Sequence, residues 1–192
     1  MLDEGVLFLY EFNFILVGLL PKVFFKKGGR FNALWWVTAA PLLVCPVFLL
    51  GTHFGYGLIP GLTEALAPWN VLLALLAVPF SAGSIALMAF TLGSHRIPIS
   101  LWHQRNDAPA SIVTWGAYRR IRHPFYASFL LVLFGSLIFV PHPVTLVCFV
   151  TSFVILNLTA AKEEQRLFQS KFGSEYAAYM SRTGRFLPRR AR

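Results

Sequence analysis

The sequence predicts an all-α, polytopic membrane protein with five transmembrane helices, the last two forming a C-terminal helical hairpin. Three observations carry this reading. The 192-residue chain is 56% hydrophobic and only 13% charged, whereas a soluble domain is about half apolar and about a quarter charged. Five apolar stretches approach the ~20 residues that cross a bilayer. The basic residues fall on alternate connections, as expected of a chain that crosses repeatedly and keeps its positive loops on one side.

The first stretch, residues 6–20, is short and is expected to extend into the flanking polar turns. It opens on Asp3 and Glu4 with no basic segment before it, which argues against a cleaved signal peptide. The second, 34–54, contains Pro41 and Pro46, and the third, 69–92, contains Pro79. Prolines are tolerated in spanning helices where neighbouring groups satisfy the freed carbonyls. Gly28-Gly29 and residues 51–60 read as loops. Residues 93–123 form a long basic loop, too polar to cross and too rich in Pro, Asn and Asp to be one helix. Spans four and five, 124–140 and 143–161, are joined by the tight turn Val140-Pro141-His142-Pro143. Beyond Ala161 the pattern turns amphipathic, with Leu167, Phe168, Phe172, Tyr176 and Tyr179 among polar residues. That suits an interfacial helix broken near Gly173.

Charge sets the topology. Lys22, Lys26, Lys27 and Arg30 follow the first span, and Arg96, Arg105, Arg119, Arg120 and Arg122 follow the third. The rest of the 17 Lys and Arg follow the fifth. The N-terminus is therefore expected outside and the C-terminus in the cytoplasm, the arrangement of a bacterial inner-membrane protein or its equivalent. Five crossings give that parity. The basic clusters also suit anionic membrane lipids, at ~1 kcal/mol per residue near the surface. No module is left over for nucleic acid.

Cys45 and Cys148 lie within apolar stretches and read as small buried hydrophobes, implying neither disulfide nor metal. The five His lack metal-ligand spacing and fall on both membrane sides. Glycine-rich phosphate loops and serine-nucleophile motifs are absent. The chain is expected to be a single integral membrane domain over 1–192, with three generic spans in 1–92 and a functional core in 93–192.

That core is expected to gather a cytosolic pocket from both ends of the hairpin. His123 precedes a proline, which biases it toward extended backbone, and Pro124 suits the first position of a helix. Amides at such a start favour a carboxylate or phosphate, with Arg122, His123 and Tyr126 around it. Glu163 and Glu164 return to the same face, where carboxylates beside an apolar helix end need a compensating cation. An ammonium or sulfonium ligand would supply one. Tyr118, Tyr126, Tyr176 and Tyr179 offer aromatic walls, and Trp102, His103 and Gln104 are candidate lining residues. The plainer readings are a positively charged flank with a proline start, and two solvated acids paired with Lys162 or Arg166.

In order and spacing, Gly116-Ala117-Tyr118, Arg122-His123-Pro124-Phe125-Tyr126, Glu163-Glu164 and Phe172-Gly173-Ser174-Glu175-Tyr176 with Tyr179 resemble the isoprenylcysteine carboxyl methyltransferase family. That family is grouped broadly with phospholipid methyltransferases. The resemblance covers residues 91–188, and five crossings is similar to its small prokaryotic members. It implies an integral membrane S-adenosylmethionine-dependent methyltransferase whose cytosolic cofactor pocket is closed by the C-terminal segment. By position, it implies cofactor contacts at Ile112, Val113, Tyr118, His123, Pro124 and Tyr126, with Glu164, or Glu163 at its side, on the cofactor's amino group. Arg122 and Arg182 are expected to orient cofactor or acceptor, with Arg185 an equal candidate because the C-terminal spacing varies.

The implied acceptor is lipidic or prenylated, a small molecule or a peptide, reached sideways from the bilayer and O-methylated. Two departures stand out: the family's His before Val113 is Ala110 here, and its Arg one turn before the acid is Ala160. The second leaves the prenylcysteine carboxylate without its usual partner. The alternatives are N-methylation of phosphatidylethanolamine and the chemistry of membrane sterol-type reductases. The latter use a nicotinamide cofactor on a similar hairpin but in a much longer chain. A non-catalytic lipid-binding protein is a third reading.

Overall fold

A computed structural model gives the fold, and the structure describes residues 3–19, 33–94 and 112–189. Every regular element among them is helical. In order these are α1 (Glu4–Leu19), α2 (Ala33–His53), α3 (Pro60–Leu66), α4 (Asn70–Ser94), α5 (Pro124–Phe139), α6 (Pro143–Phe168) and α7 (Gly173–Arg182). Single 3-10 turns occupy Ala67–Trp69 and Gly116–Arg119.

The five predicted stretches coincide with α1, α2, α4, α5 and α6. Among the described residues, three segments are long and apolar enough to cross a membrane: Trp36–His53, Pro60–Ser94 and Pro143–Phe168. Helices α1 and α5 have 16 residues each, about 24 Å at 1.5 Å per residue, and fall short of a ~30 Å hydrocarbon core. Pro41, Pro46 and Pro79 all lie inside continuous helices.

Two boundaries differ from expectation. Helix α6 does not end near Ala161. It runs unbroken to Phe168, because 162–168 contains no Gly or Pro and its good helix formers simply extend the ladder. The amphipathic segment is therefore divided, with a break at 169–172 before α7. The 51–60 region also differs, since Gly51 sits inside α2. The turn is made by Gly55 and Gly57 at φ 85° and 71°, and Pro60 then opens α3 at its first position. The predicted loop around Gly28-Gly29, and Trp102, His103, Gln104 and Ala110, lie outside the described residues.

Side-chain contacts fix the helix directions. Tyr10 Oη donates to the Ala77 carbonyl at 2.7 Å, and Asn13 Nδ2 donates to Ser81 Oγ at 3.0 Å. Rising numbers on α1 thus match rising numbers on α4, so the two run parallel. Ser84 Oγ donates to the Ser128 carbonyl at 2.8 Å, while the Tyr10 ring stacks on Phe139 at 5.6 Å. Helix α5 therefore runs the opposite way. The Phe48 and His142 rings, 4.6 Å apart, bring the end of α2 to the α5–α6 turn. Small polar residues at these contacts let helices approach closely and give buried hydroxyls partners where water is scarce.

The hairpin turn is built as its sequence suggests. Pro143 opens α6 and His142 caps it, accepting from the Val144 amide through Nδ1 at 3.1 Å. Thr145 Oγ1 accepts from the His142 amide at 3.2 Å and donates to the Val140 carbonyl at 2.8 Å. Helices α5 and α6 are thereby locked antiparallel, and the start of one meets the end of the other at the opposite face of the bundle.

Candidate functional site

The start of α5, the end of α6, α7 and the strap 183–189 converge on one cluster. Pro124 opens α5 and the His123 carbonyl accepts from the Ala127 amide at 3.0 Å. This sets Arg122 and His123 just before the helix and Tyr126 one residue after Phe125, all facing the last turns of α6.

Helix α7 positions the strap. Tyr176 and Tyr179, three residues apart and so on one face, are its buried residues. Tyr179 Oη donates to the Tyr118 carbonyl at 2.6 Å, tying α7 to the 3-10 turn. That turn is anchored to α4, because the Ala117 amide donates to Ser94 Oγ at 3.0 Å and Trp115 Nε1 donates to the Ser94 carbonyl at 3.1 Å. Beyond α7 the strap runs parallel to 120–123. The Gly184 amide donates to the Arg120 carbonyl (3.1 Å), the Arg122 amide to Gly184 (2.8 Å) and the His123 amide to Arg185 (3.0 Å).

Glycine is required at 184 by close approach. A Cβ there would strike the Leu187 carbonyl and sit 3.2 Å from the Arg189 amide nitrogen. Gly184→Ala is therefore expected to open the strap. Limited proteolysis of the detergent-solubilised protein should then release the C-terminal residues much faster, while the helical circular dichroism signal stays unchanged.

Glu164 is the centre of charge. It is 4% exposed and accepts from Arg122 Nε at 2.9 Å and from Arg185 Nε and Nη2 at 3.1 and 2.6 Å. The two-point Arg185 contact is the strong, geometrically specific kind. Each guanidinium makes a further hydrogen bond. Arg122 Nη1 reaches the Thr183 carbonyl, and Arg185 Nη1 donates to Asn157 Oδ1 at 2.7 Å. Glu163 faces a different set: Tyr126 Oη donates to its Oε1 at 2.8 Å, and His123 Nδ1 lies 3.6 Å from its Oε2.

His123 stands between the acids. Its ring stacks on Tyr126 at 5.2 Å and meets Phe186 edge-on at 6.3 Å. Its Nε2 lies 3.3 Å from Glu164 Oε1, close enough to feel the carboxylate but not aligned as a hydrogen bond, so this buried nitrogen is without a partner. Burial lowers the imidazole pKa below its ordinary value. Glu164 pulls the other way, and the Arg122 and Arg185 charges add to the fall. The native protein therefore holds His123 neutral where the unfolded chain, with its pKa near 6.5, binds a proton. As pH falls below that value, the unfolded state takes up protons that the native state refuses, and stability drops. Glu163 acts in the opposite sense, because burial pushes its carboxyl up to about 7 and rising pH then costs native-state stability. Comparing thermal unfolding of the native protein and His123→Asn between about pH 5 and pH 8 isolates the His123 part, and the native protein is expected to gain stability relative to the variant as pH rises to ~6.5.

The phenols are kept neutral as well. Burial, with a smaller contribution from Glu163, pushes Tyr118 up to about 12. Burial likewise raises Tyr176 and Tyr179 above their ordinary values. They serve as neutral donors and walls.

Of the expected site residues, the structure brings Tyr118, Arg122, His123, Pro124, Tyr126, Glu163 and Glu164 together. Ile112 and Val113 lie on the chain entering the 3-10 turn, Val113 buried, and their part rests on the resemblance alone. Arg182 stays exposed at the end of α7, and Arg185 instead reaches Glu164. Asn157, Thr183 and Phe186 were not foreseen. Asn157 was legible, since seven residues before Glu164 is two turns along the same helix face. No group of His, Cys, Asp and Glu suited to a metal occurs among the described residues. No protein-family model, curated protein or solved structure matches the chain.

Proposed function

We propose that the chain is an integral membrane S-adenosylmethionine-dependent methyltransferase that acts on a lipidic or prenylated acceptor. The observation that carries this reading is the meeting, in one cluster at one end of the bundle, of the segments that resemble the isoprenylcysteine carboxyl methyltransferase family.

The residues suit a zwitterionic sulfonium donor. Glu163 keeps accepting capacity for an ammonium, His123 Nε2 is a buried polar atom lacking a partner, and Tyr118, Tyr126 and Tyr176 form walls against which a flat ring can pack. Bound there, S-adenosylmethionine would supply an electrophilic methyl group. The chain's own work is then positioning: holding two molecules in line is worth up to ~7–11 kcal/mol when the geometry is ideal. Arg122 and Arg185 keep Glu164 fixed and so hold the strap over the site. A carboxylate acceptor needs no base. An amine or phenol acceptor must also lose a proton.

O-methylation leads and phosphatidylethanolamine N-methylation is the alternative. In this reading all five apolar helices span the membrane, α1 and α5 extended by their polar flanks, with the N-terminus outside and the C-terminus cytoplasmic. Membranes containing the protein, incubated with radiolabelled methyl donor, should transfer label to the lipid fraction. Base-labile volatile label identifies an ester, and retained label an ether or amine. Label that never enters lipid or lipidated peptide, together with oxidation of a reduced nicotinamide, would replace the proposal with the reductase reading.

A further inference from the structure

Every Lys and Arg among the described residues lies at the site end of the bundle. Arg122 and Arg185 turn inward to Glu164. Arg119 on the 3-10 turn and Arg120 just after it, Lys162 and Arg166 on α6, Lys171 after it, Arg182 at the end of α7 and Arg189 on the strap turn outward and are exposed. Glu175 is the exposed acid of α7 at this end. The opposite end, where α2 meets the α5–α6 turn and α1 and α4 begin, carries exposed Asp3, Glu4 and Glu64 and no described Lys or Arg.

Apolar side chains stand among these outward charges. Trp115 and Phe168 are exposed, and Leu187, on the strap between inward Phe186 and outward Arg189, is 75% exposed. Lys171 Nζ lies 5.0 Å over the Phe172 ring. Aromatic and aliphatic groups interleaved with guanidinium and ammonium groups, at the level where apolar helices end, match a headgroup boundary better than bulk water.

We infer that this rim is a binding surface for anionic phospholipid headgroups, with Leu187 and Phe168 dipping into the acyl boundary and the outward bases on the phosphates. A leaflet that holds Leu187 and Arg189 also holds the strap between them and α7, and with it the Arg185 clamp on Glu164. Lipid charge thereby becomes a condition for a closed site. The inference stands whether or not the chain transfers methyl groups.

The test uses the full chain reconstituted in phosphatidylcholine bilayers, with spin-labelled phosphatidylglycerol and spin-labelled phosphatidylcholine as probes. Phosphatidylglycerol is expected to be retained at the protein severalfold over phosphatidylcholine. That preference should collapse in high salt and fall by up to about fivefold for each exposed base neutralised among Arg119→Gln, Arg120→Gln, Lys162→Gln, Arg166→Gln, Lys171→Gln and Arg189→Gln. Single variants suffice, so a poorly folding combination does not block the reading. Equal retention of the two lipids, or a preference unmoved by every substitution, overturns the inference. So does displacement of the labelled lipid by inorganic phosphate beyond what chloride achieves at equal ionic strength, which would assign the rim to a soluble anion.

Discussion

Replacing Glu164 by Gln is expected to lower the unfolding temperature of the solubilised protein and to free the strap from the end of α6. The carboxylate is the shared acceptor of two guanidiniums from opposite sides, one just before α5 and one on the strap. Gln keeps the shape but not the charge, and its amide nitrogen would present hydrogens to an arginine that can only donate. Breaking a buried ion pair by removing one partner costs 3–5 kcal/mol in general. Here the lower end applies, about 3 kcal/mol, because the Arg185 side chain is 30% exposed and water screens it in part. A double-mutant cycle with Arg185→Gln separates the pair from general damage: the second substitution should add much less than it costs alone. Unchanged unfolding temperature and unchanged proteolysis at 183–189 in Glu164→Gln would remove the clamp from the account.

How far the site could be read in advance follows from how local each signal is. Apolar length alone places α2, α4 and α6, because a run of this kind has no other stable solution in lipid. The α5–α6 turn is equally local, written in Pro141, His142 and Pro143. Pro124 and the acids at 163–164 declare which two helix ends carry polar groups, and the hairpin forces those ends together. What resisted reading is non-local. Adjacent residues on a helix point ~100° apart, so Glu163-Glu164 puts two acids in two environments. Only the neighbours decide which one meets arginine. The choice of Arg185 over Arg182 depends on backbone pairing between 120–123 and 184–185, chain segments some 60 positions apart that no periodicity links. The continuation of α6 past residue 161 was hidden for a different reason: loss of hydrophobicity marks the end of a span but not the end of a helix.

Glu163→Gln is expected to do the opposite of Glu164→Gln, leaving unfolding nearly unchanged while weakening binding of labelled S-adenosylmethionine about tenfold to a hundredfold. The two acids are neighbours in sequence, yet no guanidinium or ammonium among the described residues is bonded to Glu163. Its side chain is 21% exposed, and its one close donor is the neutral Tyr126 hydroxyl. Burial pushes its carboxyl up to about 7, so near neutral pH it carries only part of a charge, with lone pairs left over at the edge of an apolar helix where a bare carboxylate is unfavourable. A ligand ammonium relieves that condition, and a hydrogen bond to a charged group is worth ~1.5–3 kcal/mol, the source of the expected range. Tyr126→Phe, which removes the orienting hydroxyl but not the charge, should cost only a fewfold. Equilibrium binding of the labelled cofactor to the three proteins decides the matter. Loss in Glu164→Gln at a temperature where its fold persists, beside full affinity in Glu163→Gln, would move the ammonium contact to Glu164. Arg122 and Arg185 would then be the groups that must yield when ligand enters.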